Sequence, residues 1–308
     1  MADSIASSIT NPFAPSLHEQ RKAQRAELAK WVLCGMAIAL VVPVLIILAD
    51  IFIKAAPVLS FDFIMENPSD KGKAGGIWAP LIGTFYLVVI SLLIVAPIGI
   101  LAGIYLNEYA TDNWATRVIN MAVTTLAGVP SIVHALFGYG AFVLFAKFGA
   151  SLVAASCTIA VMTLPVIVTA TREALKAVPP AFREACWNLG ASRWQTIRTI
   201  VLPNSISGIL TGVILEIARA AGETAPILFT GAVFFKPIAN NGLDKYLPYY
   251  LGDQFMALSM HLHVISTQIS GMPERMPFAT AAVLIALILL LNGTSIILRV
   301  WLRKRKKW

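Results

Sequence analysis

Long runs of apolar residues alternate along the chain with shorter polar segments, and these runs determine the predicted architecture. Six runs reach about 20 residues, the length that an α-helix needs to cross the hydrocarbon core of a bilayer. They lie at about 31–53, 79–106, 118–146, 150–171, 204–235 and 278–302. The pattern predicts an all-α integral membrane protein with six transmembrane helices over 31–302, a polar tail at 1–30 and a basic tail at 303–308.

The composition agrees with a membrane protein. Apolar residues make up 57% of the chain and charged residues 13%, whereas soluble domains have roughly 45–50% and about 25%. The first run follows a polar tail and no small-residue cleavage pattern follows it, so we expect a retained anchor. Cys34, Cys157 and Cys186 show neither a disulfide framework nor metal-ligand spacing, so no metal site is expected.

Lysine and arginine are distributed unequally between alternate loops, which predicts the orientation. Sixteen lie on the side of both termini and seven on the other. Because cytoplasmic loops retain positive charge, we expect both termini and the loop 172–203 in the cytoplasm, and the loops 54–78 and 236–277 outside. The net charge of +8 comes from residues that flank the runs, so lipid headgroups are the expected partners and nucleic acid is not.

The loop 172–203 is predicted to carry a short surface helix. Pro179-Pro180 can begin it near residue 180, Gly190 permits a sharp turn after it, and a second helix leads into the fifth run. The loop has the pattern E-A-A, three residues, G, nine residues, I-x-L-P, formed by Glu184, Ala185, Cys186, Gly190, Ile200, Leu202 and Pro203, with Cys186 in place of the usual alanine. This spacing resembles the cytoplasmic coupling loop of ABC-importer permeases, which implies contact with a motor subunit. The alternative is an interfacial amphipathic helix without a partner.

Arg219 and Glu223 place two charges four residues apart within the fifth apolar run. A charge in the membrane costs at least about 2.5 kcal/mol, so it indicates a functional site, and residues four apart share a helix face. A guanidinium can offer paired donors to a tetrahedral oxyanion, and the carboxylate can pair with it or accept a proton from the oxyanion. The residues alone leave open an ion pair that only orients the helix.

The stretch from Ala218 to Gly231, ARAAGETAPILFTG, is similar to the signature of the PstA-type phosphate transport permeases. Further matches lie at 75–77, 83–84, 97–106, 126–133 and 171–175, and the resemblance covers roughly 30–302. It implies the type I ABC importer (MetI-like) fold with a cytoplasmic coupling helix, phosphate as substrate and the bacterial cytoplasmic (inner) membrane as location. The implied partners are a PstC-like permease, a PstB-like ATPase dimer and a PstS-like phosphate-binding protein.

Energy is expected to come from the partner ATPase. The chain has no G-x-x-x-x-G-K-[ST] motif, so ATP and Mg²⁺ are assigned to that partner, and no cofactor or catalysis to this chain. The expected pathway residues are Arg219, Glu223 and Thr224, together with Ser131, which follows the helix-breaking Gly128-Val129-Pro130, and Arg172. For Arg172 the favoured alternative is snorkelling to lipid headgroups.

Three other functions are weighed against phosphate import. A permease for another oxyanion, such as molybdate, tungstate or phosphonate, would share most of these features. A secondary transporter would also bury charges and break helices, but the coupling loop argues against it. An intramembrane enzyme has little support, because neither H-E-x-x-H nor G-x-S-x-G is present.

Overall fold

A computed structural model describes residues 17–70, 74–238, 245–269 and 271–305. The α-helices are α1 Leu17–Ala55, α2 Phe61–Met65, α3 Trp78–Ile104, α4 Trp114–Ala127, α5 Ser131–Gly138, α6 Leu152–Lys176, α7 Pro180–Asn188, α8 Arg193–Thr196, α9 Leu202–Gly222, α10 Ala225–Leu228, α11 Leu258–Thr267 and α12 Arg275–Arg305. Short π-helical segments continue α3 at Tyr105–Tyr109 and α5 at Tyr139–Phe145, and join α8 to α9 at Ile197–Val201. Strands β1 (Pro68–Ser69) and β2 (Ala74–Gly75) pair antiparallel.

The chain divides into two units, one ending at Ile53 and the other beginning at Lys54. In the first unit, α1 begins at Leu17, within the predicted polar tail 1–30, and none of the residues in its most apolar window is buried. Residues 1–16 lie outside the described part of the chain. At the other terminus α12 continues to Arg305, so the predicted tail 303–308 begins as helix, and 306–308 lie outside the described residues.

In the described residues, five helical segments are long and apolar enough to cross a membrane. They are Arg21–Ala55, Trp78–Tyr109, Leu152–Lys176, Arg193–Gly222 and Arg275–Trp301. The third predicted run is instead a pair of helical segments, Trp114–Ala127 and Ser131–Phe145, bent by 107°. Pro130 causes this break, because it lacks an amide hydrogen and its ψ of 143° is not helical. The predicted count of six is reached when the bent pair counts as one span.

The fifth run was placed too far along the chain. The helical segment begins at Arg193 and ends at Gly222, whereas the prediction was 204–235. Glu223 has an extended ψ of 134°, and only α10 is helical between Glu223 and Ile238. Pro226, in the first turn of α10, cannot supply the amide hydrogen that a continuing helix would need there. Arg219 therefore lies in the last turn of the helix.

Helix α6 packs closely between α3 and α9. Cβ atoms added at Gly99 and Gly103 of α3 would approach Ile167 and Thr171 of α6 to 2.7 Å. On α9, Gly208 and Gly212 lie against Ala174 and Ala170 of α6 in the same way. Glycines four residues apart let helix backbones approach closely in a membrane, where there is no hydrophobic drive between helices. Gly99 and Gly103 therefore serve the close packing of α3 against α6.

The segments at the end of the bundle opposite α7 are joined by hydrogen bonds. Asn67 donates to the carbonyl of Lys245, and the Trp78 indole donates to that of Tyr246. The start of α6 is held there too, because the amides of Leu152 and Val153 donate to the carbonyls of Asp253 and Leu251. The predicted loop 236–277 thus contains α11 and ordered segments on either side of it.

Candidate functional site

Arg219 lies between two carboxylates at the end of α9. Its Nη1 is 3.6 Å from Oε1 of Glu216, and its Nε is 3.5 Å from Oε1 of Glu223. Both separations exceed the roughly 2.7–2.9 Å of a charge-assisted hydrogen bond. The Arg219 side chain is 55% exposed, whereas the Glu216 side chain is 6% exposed. The guanidinium is thus held electrostatically, and its donors form no hydrogen bond with another described residue, so they can bind an anion.

The local backbone explains this arrangement. Glu216 is three residues before Arg219, so both lie on one face of α9. Glu223 is the residue after the last helical position, and its amide still donates to the carbonyl of Ala220. Its own carbonyl accepts a hydrogen bond of 2.8 Å from the Ser259 hydroxyl of α11. The end of the helix therefore sets the position of the second carboxylate.

Sequence reasoning missed Glu216, although it is a carboxylate three residues before Arg219 in the same apolar run. Glu216 Oε1 is buried and has no hydrogen-bond partner among the described residues. It borders a cavity of about 10 Å³ that Ser91 of α3 and Thr163 of α6 also line. A cavity of this size is at the lower limit for one water molecule. Glu216 is thus a buried ionisable group between α3, α6 and α9.

Ser131 and Thr224 lie at the starts of the two short helices near the breaks in the spans. Ser131 is the first residue of α5 and Thr224 precedes α10, and α5 packs against α10. Both side chains are partly exposed. Their assignment to the pathway stays a prediction.

Arg172 is separate from the Arg219 site. Its Nη1 donates to Oδ1 of Asn120 on α4 at 2.7 Å, and its Nε is buried without a hydrogen-bond partner in the described structure. Ala174 and Ala170 face Gly208 and Gly212, so Arg172 is level with about residue 210 of α9. At about 1.5 Å per residue, Arg219 is roughly 13 Å further along the axis. The pairing with Asn120 differs from the favoured expectation of snorkelling, and a role in the pathway stays a prediction.

The short surface helix is confirmed as α7, at Pro180–Asn188 against a predicted 180–189. Gly190 follows it with φ +83°, a conformation in which glycine is preferred because it lacks a Cβ. The Gly190 amide donates to the carbonyl of Trp187, and the Ala191 amide to that of Cys186. Four large apolar side chains are exposed on α7, the turn after it and α8: Phe182 at 40%, Trp187 at 47%, Leu189 at 88% and Trp194 at 55%.

The seven coupling positions do not form one surface. Glu184, Ala185 and Gly190 are exposed and Cys186 is half-buried. Ile200 is half-buried in the π-helical segment, and Leu202 packs against the buried clusters around Ile209 and Val201. Pro203 is exposed near the start of α9. The exposed part of the motif is therefore centred on α7, whereas Leu202 helps to fix the base of α9.

Arg183, the residue before Glu184, does not belong to this exposed surface, because its side chain is largely buried. Its guanidinium forms an ion pair of 2.8 Å with Glu108, and the two side chains are 13% and 8% exposed. It also donates to the carbonyls of Val178 and Leu175. These acceptors offset the cost of taking the guanidinium out of water. Arg183 therefore ties α7 to the ends of α3 and α6.

Asp253 and His261, near the opposite end of the bundle, are engaged in structural contacts. Lys236 binds Asp253 at 2.9 Å and holds the pKa of that carboxyl below its usual range. His261 stacks on Phe234 with ring centroids 5.4 Å apart, and burial lowers its pKa to about 4. No group of three possible metal ligands occurs in the described ranges.

Solved structures show the fold of the chain. A bacterial ABC transporter that imports the acidic polysaccharide alginate aligns with a TM-score of 0.56, covering 89% of this chain and 98% of that chain at 17% identity. The inward-facing MetNI methionine ABC transporter aligns with a TM-score of 0.55, covering 73% and 97% at 14% identity. At these identities the likeness establishes the fold, which is that of MetI-like ABC importer permeases.

Sequence relatives narrow the class to a family. The probable ABC transporter permease protein YqgI of Bacillus subtilis is 33% identical over 266 residues, covering 84% of this chain and 90% of the relative. The phosphate transport system permease protein PstA 2 of Mycobacterium bovis is 32% identical over 277 residues, covering 90% and 88%. The model of the binding-protein-dependent transport system inner membrane component matches residues 96–308. The chain belongs to this family and is a multi-pass membrane protein.

Proposed function

We propose that this chain is the transmembrane permease subunit of an ATP-driven importer of inorganic phosphate. The observation that carries the proposal is the half-exposed Arg219, held between Glu216 and Glu223 at ion-pair distances that leave its donors free. A guanidinium of this kind suits a tetrahedral oxyanion. Relatives named as phosphate transport system permeases support the choice of substrate.

The pathway is formed with a second, PstC-like permease. Arg219 is 55% exposed on this chain alone, and a charge in that position needs a polar cavity or a partner. In this proposal the second permease closes the other side of the pathway. The hydroxyl groups of Ser131 and Thr224 contribute donors and acceptors to it, and Arg172 acts as a further contact closer to α7.

Energy enters through α7, the coupling helix of the proposal. A PstB-like ATPase dimer, which carries ATP and Mg²⁺, docks on the exposed surface around Glu184, Ala185 and Gly190. Closure of the dimer moves α7 and shifts the permease between two states. This places α7 and both termini in the cytoplasm, as the excess of basic residues on that side supports. A PstS-like binding protein then delivers phosphate at the opposite end, on the outer face of the bacterial inner membrane.

The test is ATP-dependent uptake of labelled phosphate by proteoliposomes that contain the assembled complex. We expect Arg219→Gln to lower uptake at least about tenfold, since hydrogen bonds to charged groups are worth about 1.5–3 kcal/mol. Arg198→Gln, an exposed arginine at the far end of the same span, is the matched control and should transport normally. Assembled Arg219→Gln complexes with normal uptake would refute the role of Arg219.

Competing anions test the substrate in the same assay. Excess molybdate, tungstate or phosphonate should leave phosphate uptake unchanged, as should sulfate, which carries no proton near neutral pH. Inhibition by molybdate alone would reassign the permease to that oxyanion. Uptake that follows an ion gradient and persists without ATP would instead identify a secondary transporter.

A further inference from the structure

A pocket of about 370 Å³ lies between α7 and the adjoining ends of α3, α6 and α8. It is distinct from the site around Arg219, and its lining does not include the exposed coupling positions Glu184, Ala185 and Gly190. Its charged lining residues are Glu108, Lys176, Arg183 and Arg193. A volume of this size is at the lower end of the range for small-molecule sites, about 300–1,000 Å³.

The lining of the pocket keeps a net positive charge after the ion pair between two of its own residues is taken into account. Arg183 is neutralised by Glu108 at 2.8 Å. The side chains of Lys176 and Arg193 form no hydrogen bond or ion pair with another described residue. They come from different elements, the last residue of α6 and the first residue of α8. Two free cations therefore converge on one concave site.

The position of the pocket indicates the kind of anion. Three candidate membrane spans meet there: one ends at Tyr109, directly after Glu108, one ends at Lys176 and one begins at Arg193. The ends of membrane spans lie at the level of the lipid headgroups. Val178, Pro180 and Trp187 add an apolar and aromatic wall, which an inorganic anion does not require and the organic part of a lipid can contact. Basic pockets between transmembrane helices are known to hold acidic headgroups.

We infer that this pocket binds the headgroup of an acidic phospholipid, with Lys176 and Arg193 as its phosphate contacts. Arg183 supports the site by fixing α7 to α3 and α6. Because α7 forms one wall, the bound headgroup links the position of α7 to the surrounding lipid. The inference does not depend on the transported substrate, since the site lies outside the proposed pathway.

The experiment measures lipid retained by the purified full-length chain in nanodiscs, using mass spectrometry. One set contains phosphatidylcholine only, a second adds phosphatidylglycerol, and a third adds inorganic phosphate to phosphatidylcholine. The wild-type chain should retain phosphatidylglycerol in preference to phosphatidylcholine. The double variant Lys176→Gln, Arg193→Gln should retain it about thirtyfold less strongly, from the loss of two basic contacts.

The controls separate this site from general basicity and from misfolding. Arg198→Gln removes an exposed arginine close to α8 that does not line the pocket, and should retain lipid as the wild type does. Lys176→Arg combined with Arg193→Lys keeps both charges and should restore most of the retention. Unfolding temperatures of all variants are compared in the same nanodiscs.

Three results would overturn the inference. The first is equal retention of phosphatidylglycerol by the wild type and the double variant. The second is saturable binding of inorganic phosphate to the wild type in phosphatidylcholine, lost in the double variant, without any preference for phosphatidylglycerol, which would make the occupant a free anion. The third is unchanged lipid retention by the double variant together with reduced co-purification of the ATPase subunit when the same variant is expressed in the complex, which would assign the two cations to a protein contact.

Discussion

At the residue scale, the charge around Arg219 depends on two carboxylates rather than one. If Glu216 and Glu223 are both ionised, the cluster carries a net charge of −1 and opposes the approach of an anion. A hydrogen bond that a protonated oxyanion donates to one of the carboxylates offsets that opposition. Glu216 has the larger effect on the approach of an anion, because it is buried and its charge is less screened by water than the charge of an exposed group.

Replacing Glu216 by glutamine tests this balance. The change keeps the shape of the side chain and removes one negative charge 3.6 Å from the arginine. We expect KM for phosphate to fall roughly three- to tenfold, a difference of about 0.7–1.4 kcal/mol. The measurement is initial uptake rate against phosphate concentration in proteoliposomes. A KM that stays constant or rises would show that Glu216 does not compete with the substrate for Arg219.

The sequence predicted part of this site. The proximity of Arg219 and Glu223 follows from their spacing of four residues, and the spacing of three residues between Glu216 and Arg219 would have identified Glu216 by the same rule. The environment of Arg183 did not follow from the sequence. Its partner Glu108 is 75 residues away, and no local pattern records which distant segments a fold brings together.

At the element scale, Gly190 controls the turn after α7. Its φ of +83° favours glycine, but a Cβ there would meet no atom within 4 Å. A side chain at this position is thus opposed by the backbone conformation and not by neighbours within the chain. Any additional steric block comes from a partner that docks on α7.

We therefore expect Gly190→Trp to uncouple ATP hydrolysis from uptake in the assembled complex. Gly190→Asn is the matched control, because asparagine adopts positive φ more readily than most residues and adds little bulk. The measurement is phosphate imported per ATP hydrolysed. Full coupling in assembled Gly190→Trp complexes would contradict docking at this surface.

The packing of α6 gives a second prediction at this scale. A methyl group at Gly212 would overlap Cβ of Ala170, so Gly212→Ala should destabilise the protein by about 1–3 kcal/mol. Gly35→Ala is the control, because nothing lies within 4 Å of a Cβ at that position in α1. Unfolding temperature in detergent measures both. The added change Ala170→Gly should recover stability in the Gly212→Ala chain, and a failure to do so would place the strain elsewhere.

The existence of the helices was more predictable than their ends. Apolar runs located each span, and Pro179-Pro180 and Gly190 located α7 to within one residue of its observed end. The end of α9 was misplaced because 223–235 is as apolar as the helix before it, and hydropathy does not distinguish a buried irregular segment from a lipid-facing helix. The break at Gly128-Val129-Pro130 was visible in the sequence, but its angle of 107° depends on the packing of α5 against α6 and α10.

At the scale of the whole molecule, the segments opposite α7 contain a buried titratable group, His261. Burial holds its pKa at about 4, against an ordinary value of 6.5. In the unfolded chain His261 binds a proton below about pH 6.5. In the folded chain it binds that proton only below about pH 4. The stability contributed by neutral His261 is therefore complete above about pH 6.5 and is lost as the pH falls towards 4.

His261→Phe should flatten this dependence. Phenylalanine keeps an aromatic ring against Phe234 and cannot be protonated. Between about pH 6.5 and pH 4 we expect the wild type to lose about 2–3 kcal/mol more stability than the variant. The measurement is thermal unfolding of both chains across that range in one detergent. If the stability of both chains falls equally with pH, His261 is not the group responsible for the loss of stability.

The bend between α4 and α5 also bears on how the chain enters the membrane during synthesis. Neither Trp114–Ala127 nor Ser131–Phe145 has the roughly 20 residues that an independent span requires. A nascent chain that ends near Phe145 therefore carries a segment with no stable position of its own in the bilayer. Stable integration of this segment requires α6 and α10 to emerge and pack against α5, so the topology of the central part of the molecule is completed only when later parts have been made.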